Sequence, residues 1–529
     1  MKKIALSAAL LLAATLAFAQ VSFTNPIIPG FHPDPSVCRV GNKFYIVNST
    51  FSYFPGVPIY ESEDLAHWAQ IGNVLDRESQ LPLSHANSWL GIYATTIRYN
   101  EGLYYMITTN VGGGGNFMVT ATDPAGPWSE PIWLEQQGID PSLLFEDGKC
   151  YMVSNPEGGI HLCEIDPVSG KQLTESKLLW KGTGGRYPEG PHVYKIGDYY
   201  YLLISEGGTE LAHSLTVARS RDIYGPYESN PANPILTHCN QAGQSSQIQG
   251  TGHGDLVQDE NGNWWVVFLA YRNYGGGSYH HLGRETFLAP VTWEEDWPVV
   301  NGGRPVELEM SGEYLPVPRT KIRRERYCNS GADGFSFMGP EWLYIQNPDS
   351  SKYEHIGNTL RMHGAAATLS EGVNPTFLGR RQESAGFSVT AQVDGSGLAQ
   401  GDEAGITAFQ IVDGHIEIAL RRTAEGIEAV SRARVKSLVC ETVLCSVPDG
   451  TAKLQIESDG NTYLLSVTAD GSQKVCARPL ECSLMSTEIV GGFTGVVLGM
   501  YVTGSGSADF ACFDYRELSD NAGYAPVFD

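Results

Sequence analysis

The chain has 529 residues and a formal net charge of −24, with 18% charged residues, 10% aromatics and 60 glycines. That profile suits an all-β protein rich in turns, and its length predicts more than one domain. So acidic a chain argues against nucleic acid or an anionic membrane as partner, since both demand basic surface.

Residues 1–19 read as a secretory signal. Lys2-Lys3 give the basic start, Ile4 to Leu16 the short apolar stretch, and Ala17-Phe18-Ala19 the small-residue cleavage pattern. The sequence thus predicts export to a periplasmic or extracellular space, with no membrane span. Among the ten cysteines, Cys38, Cys150 and Cys163 fall in or beside apolar strand patterns and read as buried thiols. Cys440/Cys445 and Cys476/Cys482 are the best candidates for disulfides, which export would permit.

From residue 20 to about 315 one unit recurs. It appears as Asp34-Pro35-Ser36-Val37 leading to Tyr45, as Asp140-Pro141-Ser142-Leu143 leading to Tyr151, and as Glu189-Gly190-Pro191-His192 leading to Tyr200. Looser copies run from Ala94 to Tyr105 and from His253 to Trp264. A short apolar run, a polar turn and an aromatic β-branched run make a hairpin. Five copies at intervals of roughly 45 to 65 residues predict a five-bladed β-propeller. In a propeller the inner strands line a central channel, so Asp34, Ala94, Asp140, Glu189 and His253 should converge at one face. Three carboxylates and a histidine in one funnel suit an active site better than a core. The aromatic loop Ser49 to Pro58, with Phe51 at its head, would offer ring faces to a sugar or fold under as core. Glu206 is a rival acid at the far end of its strand and reads as a rim contact.

His32-Pro33-Asp34-Pro35-Ser36, Ile139-Asp140-Pro141-Ser142 and Pro188-Glu189-Gly190-Pro191-His192 resemble the three acid motifs of glycoside hydrolase family 43. The likeness is closest to its β-xylosidase/α-L-arabinofuranosidase branch. Gly56-Val57-Pro58-Ile59-Tyr60, Gly250-Thr251-Gly252-His253 and Leu282-Gly283-Arg284-Glu285-Thr286 extend the match. The resemblance implies an inverting mechanism with Asp34 as general base, Glu189 as general acid and Asp140 orienting the acid and tuning its pKa. It also implies substrate contacts from Phe51, Tyr93, His253 and Arg284. Tyr93 stands where many relatives carry Trp, which leaves substrate preference open. No cofactor is expected to be required, although the resemblance allows Ca2+ near the axis beside His253. Arg284 would otherwise read as a salt bridge to Glu285 or another acid.

A linker with the basic cluster Lys321-Ile322-Arg323-Arg324 follows, expected to face acids of a neighbouring domain. Residues 316–529 then show short alternating strands that predict a β-sandwich, resembling the concanavalin-like jelly roll of family 43 xylosidases. The expected activity is exo-acting release of terminal β-D-xylose or α-L-arabinofuranose from xylo- or arabino-oligosaccharides. A non-catalytic glycan-binding propeller and an endo-arabinanase are the alternatives.

Overall fold

Apolar runs broken by Gly-Asn, Asp-Gly and Gly-Asp turns fold as consecutive antiparallel strands, because those turns supply the positive φ that tight hairpins need. The computed structural model describes residues 21–518 apart from 157, 241, 275–277, 313–314, 316–330 and 470–472. The expected signal at 1–19 and the basic cluster at 321–324 lie outside the described residues. Five meanders form in order. Their inner strands are Ser36–Val40, Thr96–Asn100, Ile139–Glu146, Glu189–Ile196 and Ile248–Gln258. Each inner strand packs on the next, and that of blade five returns to that of blade one, closing a five-bladed propeller.

Asp255 holds this closure at the axis. Its buried carboxylate accepts hydrogen bonds from Ser36 Oγ at 2.6 Å and Val37 N at 3.0 Å in blade one. Arg98 Nη1 in blade two donates at 2.8 Å and the Tyr194 hydroxyl in blade four at 2.5 Å. Burial pushes the Asp255 carboxyl up, but the Arg98 guanidinium and these donors outweigh it and hold the group well below the usual range.

The second domain, described from Gly331 onward, stacks an eight-stranded sheet on a six-stranded one. Alternate residues such as Val389, Ala391 and Val393 point into a shared core with Ile406, Ile418, Leu454, Met500 and Phe513. The two cysteine pairs expected from sequence do not form. Cys440 and Cys445 lie along one strand, Leu438–Ser446, too far apart to bridge, while the thiol of Cys482 lies 3.4 Å from Ser458 Oγ. Cys38, Cys150 and Cys163 are buried thiols.

The domains share an apolar cluster. Phe31, Phe51 and Tyr53 from blade one pack with Leu343, Phe377, Phe409, Val497 and Tyr501. Tyr53–Phe54 pairs with Tyr344–Ile345 as a two-stranded ribbon, and buried Arg381 donates to the Phe31 carbonyl at 2.7 Å. Much of the aromatic loop therefore serves as interdomain core.

Candidate active site

The residues at the heads of the inner strands share an uncommon backbone conformation. Asp34, Asp140 and His253 have φ of 53°, 54° and 45°, and Gly190 has 59°. Such left-handed residues are rare outside glycine and mark a backbone that the surrounding fold holds in place. Breaks in register at Ile139/Ser142, Glu189/His192 and Gly252/Gly254 accompany them, and bulges of this kind re-aim a side chain. Strand pairing also corrects the alignment read from the sequence. Ser36 pairs with Val47, Ser142 with Val153 and His192 with Leu203, so the counterpart of Asp34 and Asp140 is Gly190. Glu189 stands one residue earlier. Glycine takes the left-handed slot, and the acid gains a different approach to the funnel.

Asp34 is buried. It accepts a short hydrogen bond from Ser49 Oγ and one from Arg284 Nη1 at 3.1 Å, with His253 Nδ1 3.9 Å away. Burial raises its carboxyl, but Arg284, His253 and Ser49 together hold it below the ordinary carboxylate range. Asp140 and Glu189 move the other way. Burial, then the negative charge of Glu189 and Asp34, pushes Asp140 well up, although its Oδ2 accepts from Gly190 N at 3.0 Å. Glu189 rises to about 7, through burial first and then the charge of Asp34, with Arg284 opposing. Asp140 and Glu189 therefore titrate as a pair that keeps a proton near neutrality.

Arg284 joins three parts of the molecule. Besides Asp34 it donates to Thr209 Oγ1 at 3.1 Å and to the backbone carbonyl of Phe493 at 3.2 Å. It does not pair with Glu285, which instead binds Arg272 at 2.7 and 2.9 Å. Its guanidinium lies 5.6 Å from the ring centroids of both Phe51 and Phe493. Phe51 is buried beneath Tyr93 and Phe493, while Tyr93 is half-buried and donates from its hydroxyl to the Trp89 carbonyl at 2.5 Å. The Tyr93 phenol is raised by burial and then by the charge of Asp140.

The resemblance, carried in part by Phe493-Thr494-Gly495, allows a loop of the second domain to reach the pocket without assigning its residue, and that residue is Phe493. It belongs to the second domain, and its segment is anchored by Phe493 N to Ser88 O at 3.1 Å and Val496 N to His281 O at 3.0 Å. No local pattern announces a contact made across two domains. Glu206, expected at the rim, is instead buried, and its carboxylate accepts from Thr183 N, Thr183 Oγ1, Gly185 N and Thr216 Oγ1. It staples the loop ahead of Glu189. His253 lies in the funnel against Gly190. Calcium takes about six to eight oxygen ligands. Among the described residues no group of three or more His, Cys, Asp or Glu side chains converges as a metal site, and one imidazole beside an Arg-bound carboxylate does not fit it. No helix among the described residues is long and apolar enough to cross a membrane.

Residues 23–298 match the model for glycosyl hydrolases family 43, and residues 333–518 match that for the β-xylosidase C-terminal concanavalin A-like domain. A non-reducing end α-L-arabinofuranosidase of Bacteroides ovatus is 40% identical over 96% of this chain and 97% of its own. A xylosidase/arabinosidase of Butyrivibrio fibrisolvens is 39% identical over 94% and 98%. Among solved structures, a xylan β-1,4-xylosidase from Bacillus halodurans superposes with a TM-score of 0.86 at 32% identity, covering 94% of this chain and all of its own.

Proposed function

This chain belongs to glycosyl hydrolase family 43, and we propose that it releases terminal β-D-xylose or α-L-arabinofuranose from xylo- or arabino-oligosaccharides with inversion at the anomeric carbon. The observation that carries this reading is the opposed state of two carboxyls in one funnel. Asp34 is clamped as a carboxylate by Arg284 and Ser49, while Glu189 holds a proton to about pH 7. An inverting glycosidase needs that pair, one carboxylate to activate water and one acid to protonate the departing oxygen.

In the proposed reaction water attacks the anomeric carbon as Asp34 takes its proton. The bond to the leaving oxygen breaks as Glu189 Oε donates a proton to that oxygen. Asp140, fixed by Gly190 N–H, is itself pushed up beside Glu189, so the two carboxyls share a proton near neutrality, and the charge of Asp34 favours the protonated form of Glu189. Arg284 has donors for sugar hydroxyls once its Asp34, Thr209 and Phe493 contacts are counted, and Tyr93, backed by the buried Phe51 ring, gives the apolar wall a sugar face requires. Phe493 and Trp89, packed at 4.8 Å, build up one side of the funnel, which favours end-on entry over a through-running cleft.

The test is hydrolysis of nitrophenyl β-D-xyloside and nitrophenyl α-L-arabinofuranoside by wild type, Asp34→Ala and Glu189→Ala, with the anomer first released read by proton NMR. Collapse in both variants and an inverted product support the reading. Retention of configuration, or turnover surviving both substitutions, overturns it. Binding without turnover in wild type would favour a glycan-binding propeller.

A further inference from the structure

Tyr187 is a bulky aromatic that the fold holds in the open. It is 62% exposed, and its backbone is left-handed with φ of 51°, a conformation a large side chain rarely adopts. The neighbouring chain is fixed on both sides. Glu206 staples Thr183 and Gly185 through their backbone N–H groups at 2.9 Å each, and the Arg186 carbonyl accepts from Gly207 N at 2.7 Å. On the other side Pro188 O accepts from Asn155 Nδ2 at 3.1 Å. A large exposed ring on a left-handed backbone, braced by a buried carboxylate, is an arrangement that packing of the ring itself does not account for.

Two links tie this ring to the site. Tyr187 precedes Glu189 by two residues, so their Cα atoms lie within roughly 7 Å of each other. The ring also lies along Gly208, where an added Cβ would stand 3.2 Å from Tyr187 Cδ2, and the next residue, Thr209, accepts from Arg284. Tyr187 therefore occupies the rim between the acid and the guanidinium on Asp34, with the Arg186 guanidinium over one face of its ring at 5.4 Å and the other face left for a ligand.

We infer that Tyr187 is the platform for the leaving saccharide, a binding position for a neutral sugar ring next to the one that holds the glycosyl unit being cleaved. This rests on the hydrolase reading above. The acid must lie within hydrogen-bond reach of the glycosidic oxygen, and that oxygen is bonded directly to the departing ring. The departing ring therefore lies beside Glu189, and Tyr187, two residues along the chain, is the exposed aromatic placed to reach it. Its apolar C–H face packs on the aromatic ring while its hydroxyls remain toward water and Arg186.

A substrate whose leaving group has no ring separates this role from a structural one. For wild type, Tyr187→Ala and Tyr187→Phe, kcat/KM is measured on xylobiose and on the β-D-xylosyl fluoride. If wild type prefers arabinofuranosyl substrates, an arabinofuranosylated xylobiose and the α-L-arabinofuranosyl fluoride replace them. Tyr187→Ala is expected to lose about tenfold more on the oligosaccharide than on the fluoride, chiefly through KM, and Tyr187→Phe to recover most of that difference. Fluoride hydrolysis also reports that each variant is folded. Equal losses on both substrates, or no loss on the oligosaccharide, overturn the proposal. Wild type that hydrolyses neither substrate overturns the hydrolase reading itself.

Discussion

Arg284 Nη2 donates to the backbone carbonyl of Phe493 at 3.2 Å, so the guanidinium that neutralises Asp34 is seated partly by the other domain. The Phe493 ring in turn packs on Phe51 at 5.6 Å and Trp89 at 4.8 Å. Its carbonyl survives side-chain truncation, whereas the wall does not. Phe493→Ala is expected to lower kcat/KM by about tenfold, mainly through KM, with little change in thermal stability because the ring is only half-buried. Steady-state kinetics beside a melting curve checks this, and an unchanged KM would remove Phe493 from the wall.

The carboxyl states predict the pH profile. The proposed mechanism requires Asp34 ionised and Glu189 protonated. The alkaline limb of kcat/KM should therefore fall near pH 7, where Glu189 gives up its proton, and the acid limb should lie below the ordinary carboxylate range. Replacing Arg284 by Met removes the strongest force lowering Asp34, so the acid limb should move upward while the alkaline limb holds or falls further out, since Arg284 also opposes the rise of Glu189. A profile whose acid limb stays in place would show that Asp34 is not the group titrating there.

Glu189 also predicts a stability effect with a definite sign. Its folded pKa of about 7 exceeds the unfolded value of 4.5, so the folded state binds the proton more tightly. Stability from this group is full below pH 4.5 and is lost as pH rises through 7. Glu189→Gln removes that penalty, so it should melt higher than wild type at pH 8, by up to about 2–3 kcal/mol of stability, and near wild type at pH 4. Calorimetry at the two values decides it. A variant destabilised equally at both would mean that the carboxyl is not strained in the native site.

The repeat made the acids legible, because a blade forces every copy of its hairpin to present the same strand to the axis. Asp34 and Asp140 could be read so, each followed by a proline and, further on, a turn. Glu189 was found with them, but its true offset was hidden. Only strand pairing reveals that Gly190 fills the slot of the aspartates and that the acid sits one residue back. Phe51 reads from the sequence as a substrate platform with core as the alternative, and it lies buried at the border of both, since its neighbours include Phe31 from the domain interface and Tyr93 from the site. Phe493 and the Glu206 staple depended on contacts between segments distant in sequence, which no local pattern encodes. The short spacing within each expected cysteine pair failed as a guide because an extended strand carries Cys440 and Cys445 apart.

Asp255 stands two residues past His253 in the fifth copy of the unit, and its place at the axis sets the stability of the propeller. Its carboxylate gathers Ser36, Val37, Arg98 and Tyr194, joining four of the five blades around the axis. Arg98 Nη2 also donates to His192 Nδ1 at 2.9 Å, which leaves the proton of that buried imidazole on Nε2. Asp255→Asn keeps the shape but leaves the Arg98 charge without its counter-ion, at a cost of about 3–5 kcal/mol for a broken buried pair. The propeller transition should fall accordingly at neutral pH. The sign with pH is also fixed. Asp255 is depressed in the folded state, so its contribution is present above the unfolded carboxylate pKa and fades as pH falls toward the folded value. The gap in melting temperature between wild type and Asp255→Asn should therefore narrow as pH drops from 7 into the acid range. A gap that stays constant would mean the pair is a packing element whose charge the closure does not use.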